Sequence, residues 1–353
     1  MSTFVPGIEL ARSFYDEVVG PIVGARPHAA ALLGYGSDVL GFDTERSTDH
    51  GWGPRLQVIV ADGHDPDDLA SLRRALHEHL PDEHRGWPVR FGWDDTPVQH
   101  HVRVVSTRAF FEHWLGFDPR AGLDVLDWIS TPAQLLLEIT RGDVFHDDLG
   151  ELTRVRAELA QYPHDVWLWL AACQWRRLDQ EEPFVGRTAE VGDDLGSRVL
   201  AARLARDVML LCFLLERVYA PYPKWFGTAF ARLDSEREVG PALTRALRAD
   251  SFDDREAGLV DAYEAVARRH NALGVTESLD PTVRLFYGRP FRVLRSARFV
   301  DACLARVTDA RLRELPLIGG IDQWSDNTDV RSTPLIFRRA RNLYLGTLRP
   351  GGL

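Results

Sequence analysis

Apolar residues follow two rhythms along this chain. Period-two and short β-branched runs occur only in the first third, and a 3.6-residue spacing dominates the rest. Residues 4–33 carry helical spacing in IELARSFYDEVVGPIV and predict one or two helices. RLQVIVA (55–61) predicts a strand. HDPDDLASLRRALHEHLP (64–81) has aspartates at its start and stops at a proline, which predicts a surface helix. PVRFGW (88–93) and VQHHVRVVS (98–106) predict two further strands, and TRAFFEHWLG (107–116) a helix closed by Gly116.

Beyond residue 126 the pattern offers almost no convincing strand. Helices are predicted over 131–142, 151–163, 165–180, 195–221, 222–234, 239–250, 254–274 and 297–307. The tail at 319–348 is polar, then helical. The expected fold class is therefore α+β: a small α/β domain over 1–125 and a larger all-α helical bundle over 126–353. The length of 353 residues suits two or three domains, and there is no internal repeat.

Composition narrows the function classes. Hydrophobic residues are 45% and charged residues 27%, the ordinary balance of a soluble globular protein. A formal net charge of −10 argues against a nucleic-acid partner or an anionic membrane surface, while leaving room for a local basic pocket. No secretory signal is visible. The longest apolar run, Val208 to Leu215, spans eight residues, too few to cross a bilayer. Three well-separated cysteines, Cys173, Cys212 and Cys303, sit within helical patterns and suit reduced, buried thiols in a cytoplasmic protein.

The stretch GYGSDVLGFDTERSTDHGWGPRLQVIV, from Gly34 to Val60, carries the candidate chemistry. A Gly-Ser turn lets backbone N–H groups and a hydroxyl approach phosphate without an intervening Cβ. Acids behind such a turn can hold Mg²⁺ against phosphate oxygens. Gly36 and Ser37 are followed by eleven residues and then Asp49-His50-Gly51. This arrangement resembles the signature of the nucleotidyltransferase superfamily, the fold of DNA polymerase β and the aminoglycoside nucleotidyltransferases. The resemblance implies Gly36 and Ser37 as nucleotide-binding residues and Asp49 as the catalytic Mg²⁺ ligand. It also implies a second carboxylate two residues after Asp49 on one strand face, where this chain has Gly51. A third belongs on a later strand, where VQHHVRVVS offers His100, His101 and Arg103. Asp38, Asp43 and Glu45 lie in the intervening loop but do not match the signature's spacing.

Several longer segments resemble an uncharacterised bacterial family related to that superfamily: GSDVLGF, TDHGWGPR, DWISTPAQLLLEITRGDVFHD, YPHDVWLW, GDDLGSRVLAARLARDVMLLCFLLERVYAPYPKWFGTAF and GGIDQW. The resemblance spans nearly the whole chain. It implies a nucleotidyltransferase-like first domain and a helical second one.

Other constellations bear on the same question. On the helix beginning near Leu195, Ser197, Arg198, Arg203, Arg206 and Asp207 interrupt an apolar segment. They would either face phosphate, with Arg198 as a nucleotide-binding candidate, or form an ion-paired seam. Lys224, in the rigid turn YAPYPKW, is a second phosphate-binding candidate beside the reading of a solvated lysine. Helical domains of nucleotidyltransferases commonly supply such a lysine. His77, His79, His84, His100 and His101 show no chelating spacing, so they are expected at the surface and zinc is not expected. Neither Gly-x-Ser-x-Gly nor a P-loop is present. The tryptophans are expected mainly in the core.

Two functions follow as expectations. One is an Mg²⁺-dependent enzyme moving an NMP from an NTP to a small hydroxyl acceptor. The other is a catalytically degenerate relative that keeps the fold to bind a nucleotide or a partner protein.

Overall fold

The computed structural model describes residues 4–345. The chain forms two compact units, Met1–Gly122 with Gln134–Ala160, and Leu123–Ala133 with Gln161–Leu353. The first unit thus regains 134–160 from the region expected to be all helical.

That unit is built on a five-stranded sheet. Its strands are β1 (His28–Leu32), β2 (Arg55–Val60), β3 (Arg90–Trp93), β4 (Thr96–Ser106) and β5 (Asp143–Asp147), in spatial order β3-β4-β2-β1-β5. β2 and β4 run parallel, with Arg55 opposite His101 and Val58 opposite Val104. The remaining pairs are antiparallel. Every residue of β1 and β2 is buried, the polar His28, Arg55 and Gln57 included.

Two strands depart from the expectation. HAAAL was expected to continue a helix, because alanine favours helices and is poor in isolated strands. It forms the central β1, where small side chains suit a strand paired on both edges. β5, with the sequence DVFHD, has neither alternation nor a β-branched run. Antiparallel pairing with β1 places it in the sheet.

Helix α1 (Gly7–Phe14) continues into a wider π-helical stretch, Tyr15–Val19. Together with α2 (Pro66–His79) it covers one sheet face. Phe14, Val19, Leu72 and Leu76 pack there against Ala30, Leu56, Val58, Val102 and Val104. Asp65 caps α2 by accepting the Asp67 N–H at 2.9 Å. α3 (Thr107–Leu115) ends at Gly116 in the left-handed conformation, as the sequence predicts. α4 (Ala133–Thr140) and α5 (Glu151–Glu158) flank β5 in the chain.

The second unit is helical: α6 (His164–Glu181), α7 (Asp194–Leu215), α8 (Pro223–Phe230), α9 (Glu236–Arg248), α10 (Phe252–Ala272) and α11 (Ala297–Leu304). Its core joins Trp175, Leu204, Val208, Leu211, Phe213, Val266 and Phe299, with Trp175 stacked on Phe299 at 4.3 Å. Each such side chain contributes roughly 1.5–3 kcal/mol by leaving water. A two-residue strand pair, Arg284–Leu285 with Arg292–Val293, also lies in this unit. Cys173, Cys212 and Cys303 are buried free thiols. No described helix is long and apolar enough to cross a membrane. The tail is helical in short turns as far as Leu345, and positions 346–348 lie outside the described residues.

Candidate functional site

The Gly-Ser turn leaves β1 and leads into the single helical turn Ser37–Leu40. Gly34 donates its N–H to the Glu138 carbonyl at 2.9 Å, tying the turn to α4. Gly36 sits at φ 129, a conformation that side chains disfavour, and a Cβ there would lie 2.2 Å from Asp38 Oδ1 and 2.3 Å from the Arg55 guanidinium. Glycine is thus required here by what lies directly beneath. Ser37 is half-buried, and its hydroxyl makes no hydrogen bond among the described residues.

Beneath the turn lies a buried ion pair. Arg55 donates to Asp38 Oδ1 at 2.6 Å and to the Tyr35 carbonyl at 2.9 Å, and its guanidinium lies 4.9 Å from the Tyr35 ring centre. The side chains are 5% and 2% exposed, so both charges are desolvated and each depends on the other. Asp38 Oδ2 and Arg55 Nε have no further partner.

The other acids of the loop are also engaged. Asp43 accepts from the Gly7 N–H at 2.7 Å and from the Trp52 indole at 3.0 Å. Thr44 and Ser47 close a capping box around the 3-10 turn Glu45–Asp49. Asp49 ends that turn with its side chain 70% exposed, 2.7 Å from His50 Nδ1. β2 begins only at Arg55, so Asp49 and Gly51 do not share a strand face as the resemblance implies. Gly51 takes φ +64, and a Cβ there would meet Tyr35 at 3.6 Å and Trp93 at 3.7 Å, ordinary contact distances.

Opposite Arg55, on the strand where the resemblance implies a third carboxylate, stands His101. Its Nε2 lies 2.9 Å from the Phe91 carbonyl, and its ring packs between Phe91 and Trp93 at 4.3 and 4.9 Å. Burial lowers its pKa, which keeps the ring neutral. Two-ion Mg²⁺ chemistry needs several free carboxylates converging on one point. Asp38 and Asp43 are committed elsewhere, and among the described residues no group of three metal-ligating side chains includes Asp49. The donors present do not fit a two-magnesium centre.

An aromatic set surrounds the turn instead. Tyr35 is exposed, Trp93 and Trp114 are half-buried, and Tyr35 and Trp114 lie 6.1 Å apart. Spacing gave no signal for this set, because its members come from three separate elements. Trp167, Trp169 and Trp175 are core residues, as the helical stripe predicts. His84 departs from its expected surface position: it is buried and bonds Ser13 Oγ at 2.9 Å.

In the helical unit the polar residues of α7 form an ion-paired seam. Arg198 binds Asp194 at 2.7 Å and the carbonyls of Ala249 and Asp250 at 2.9 and 3.0 Å, closing the C-terminus of α9. Arg203 pairs with Glu181, Arg206 with Asp326, and Asp207 with Arg177. Arg255, fully buried, donates to Ser197 at 2.6 Å and to Asp194 at 2.7 Å. Lys224 is exposed on α8, with its ammonium 5.2 Å from the Trp225 ring centre. The same unit holds an apolar cavity between Trp128, Tyr162, Leu170, Phe213 and Tyr219, with Asp322 at its wall. Sequence periodicity could not reveal it, since its lining is drawn from distant segments.

Comparison with known proteins adds two matches. The family described as Domain of unknown function (DUF4037) matches residues 128–226, which include YPHDVWLW and most of the α7 segment. No curated protein matches this chain. Among solved structures, the nucleotidyltransferase-like protein from Exiguobacterium sibiricum 255-15 is similar over 87% of this chain and 91% of that one. Its identity is 12% and its TM-score 0.34.

Proposed function

We propose that this chain is a nucleotidyltransferase-like protein whose first unit binds a nucleoside triphosphate at the Gly36–Ser37 turn without carrying out two-metal transfer. The observation that carries this reading is the buried Asp38–Arg55 pair. The acid nearest the turn is neutralised internally, while the turn keeps an unpartnered hydroxyl and a backbone free of side chain. Ser37 donates to a phosphate oxygen, and Tyr35 and Trp93 offer faces to the base or sugar. Magnesium accompanies the phosphates, with Asp49 as its candidate ligand. In the helical unit Lys224 is exposed, whereas Arg198 is held by its carbonyl contacts.

A second reading, transfer of an NMP to a small hydroxyl acceptor, is favoured by one fact. Asp49 is exposed in the segment whose Gly51 lies against Tyr35, beside the turn. The two readings separate in a single experiment. The protein is incubated with Mg²⁺ and each NTP, with and without small polyols and amino alcohols, while pyrophosphate release and nucleotide binding are followed. Binding without release is expected. Acceptor-dependent release that is lost in Asp49→Ala would establish the transfer reading, and failure to bind any nucleotide would remove both. A Cβ at position 51 would make only ordinary contacts. Gly51→Asp should therefore fold with a stability change within about 1 kcal/mol, aspartate being among the residues that tolerate positive φ. It should also strengthen Mg²⁺-dependent nucleotide binding. A large stability loss would show that the segment has no room for the side chain.

A further inference from the structure

β1 and β5 lie side by side at the sheet edge opposite β3, and their pairing brings three metal-ligating side chains together. Ala30 is opposite His146 and Ala29 opposite Asp147, while Asp148 donates its N–H to the His28 carbonyl at 3.0 Å. Side chains alternate between sheet faces, so His28, His146 and Asp148 share one face and Asp147 points to the other. Asp147 is used there, accepting from the Gly150 and Thr153 N–H groups at the start of α5. The donor atoms of the three residues all lie within 4.8 Å of one another, and the two imidazole rings are 4.5 Å apart.

The surroundings of the three groups leave their donor atoms facing one another. His28 is buried, and its Nδ1 lies 2.7 Å from the Arg26 carbonyl. That bond needs Nδ1–H, which leaves the lone pair on Nε2; this outer contact is characteristic of ligating histidines. Tyr15 O–H reaches Nε2 at 2.9 Å from the first position of the π-helical stretch. His146 Nε2 is buried, lies 2.7 Å from Asp148 Oδ2 and has no other partner. Asp148 is half-exposed and opens the cluster to solvent.

We propose that His28 Nε2, His146 Nε2 and the Asp148 carboxylate bind a divalent transition-metal ion, Zn²⁺ by the chemistry of the donor set. Two imidazoles and one carboxylate suit a tetrahedral ion with bonds of about 2.0–2.2 Å and a water in the fourth position. In the metal-free protein the Tyr15 hydroxyl satisfies the buried His28 nitrogen, and metal binding displaces that hydrogen bond. This site is independent of the Gly-Ser turn. The histidines expected to be non-chelating are different residues, and neither His28 nor His146 stands out by spacing, being 118 positions apart.

The test uses the full chain without a histidine tag. Co²⁺ and Zn²⁺ are titrated into wild type, His146→Ala, Asp148→Asn and the double variant, following the visible bands of tetrahedral cobalt and metal content after dialysis. Both substituted positions are partly exposed, and circular dichroism checks that each variant folds. Wild type should take up one equivalent with a tetrahedral spectrum. Each single variant should bind more than about tenfold more weakly, since even outer contacts to such ligands carry 10–100-fold effects. Zn²⁺ should raise the Tm of wild type but not of the double variant. Wild type that retains no metal, or variants that bind as wild type does, would overturn the proposal.

Discussion

Gly36 illustrates how one residue joins fold and site. It is fixed by two constraints at once, a positive φ and the guanidinium and carboxylate packed where a Cβ would stand. Gly36→Ala should therefore destabilise the protein by about 2 kcal/mol or more, read as a lowered urea midpoint. Arg55→Met should cost about 3–5 kcal/mol by stranding Asp38, and Asp38→Leu with Arg55→Met should recover much of it. Additive losses in the double variant would mean that the pair is not the interaction described. Glu138, beneath the turn on α4, supplies a pH signature. Burial raises its carboxyl to about 7, against a hydrogen bond from Gln134. The folded state then keeps a proton that the unfolded chain releases at lower pH. This contribution is full below the unfolded carboxyl pKa and is lost as pH rises toward 7. Glu138→Gln should gain on wild type by about 3 kcal/mol across that window. Parallel stability curves for the two proteins would contradict this.

At the scale of elements, the sequence was legible where a segment's own periodicity decided its structure. α2, α3, α6 and α8 to α11 appear within a few residues of their predicted bounds, since each buries an apolar stripe, while α7 starts as predicted and ends at Leu215, six residues before its predicted end. β1 and β5 were not legible, because their identity comes from pairing with one another. An alanine run and DVFHD become strands only once the sheet exists. The same holds for the metal cluster, which depends on the register between those two strands. The turn from α4 into β5 is held by Arg156, whose guanidinium donates to the carbonyls of Ile139, Thr140, Arg141 and Gly142 at 3.0 to 3.3 Å. Arg156→Ala leaves those carbonyls without their charged donor. It should cost about 1.5–3 kcal/mol and raise amide exchange across 139–147 before the rest of the sheet. Uniform exchange would place the anchor elsewhere.

For the whole molecule, the sequence indicated a mixed α/β part and a helical part, but not where the chain passes between them. Residues 134–160 return to the first unit because α4 packs behind the Gly-Ser turn and β5 completes the sheet. The candidate site was half legible. Gly36 and Ser37 stand at a tight turn after β1, as their residue types suggest, whereas the fate of the acids depended on partners that the signature does not encode: Arg55 for Asp38, Trp52 for Asp43, His50 for Asp49. Nucleotide binding at the turn, without transfer, is tested most directly by calorimetric titration of Mg·ATP into wild type and Ser37→Ala. Wild type should bind at a single site, and loss of the Ser37 hydroxyl should weaken binding by about tenfold, the scale of one hydrogen bond to a charged group. Absence of binding by wild type, or equal affinity in the two proteins, would contradict it.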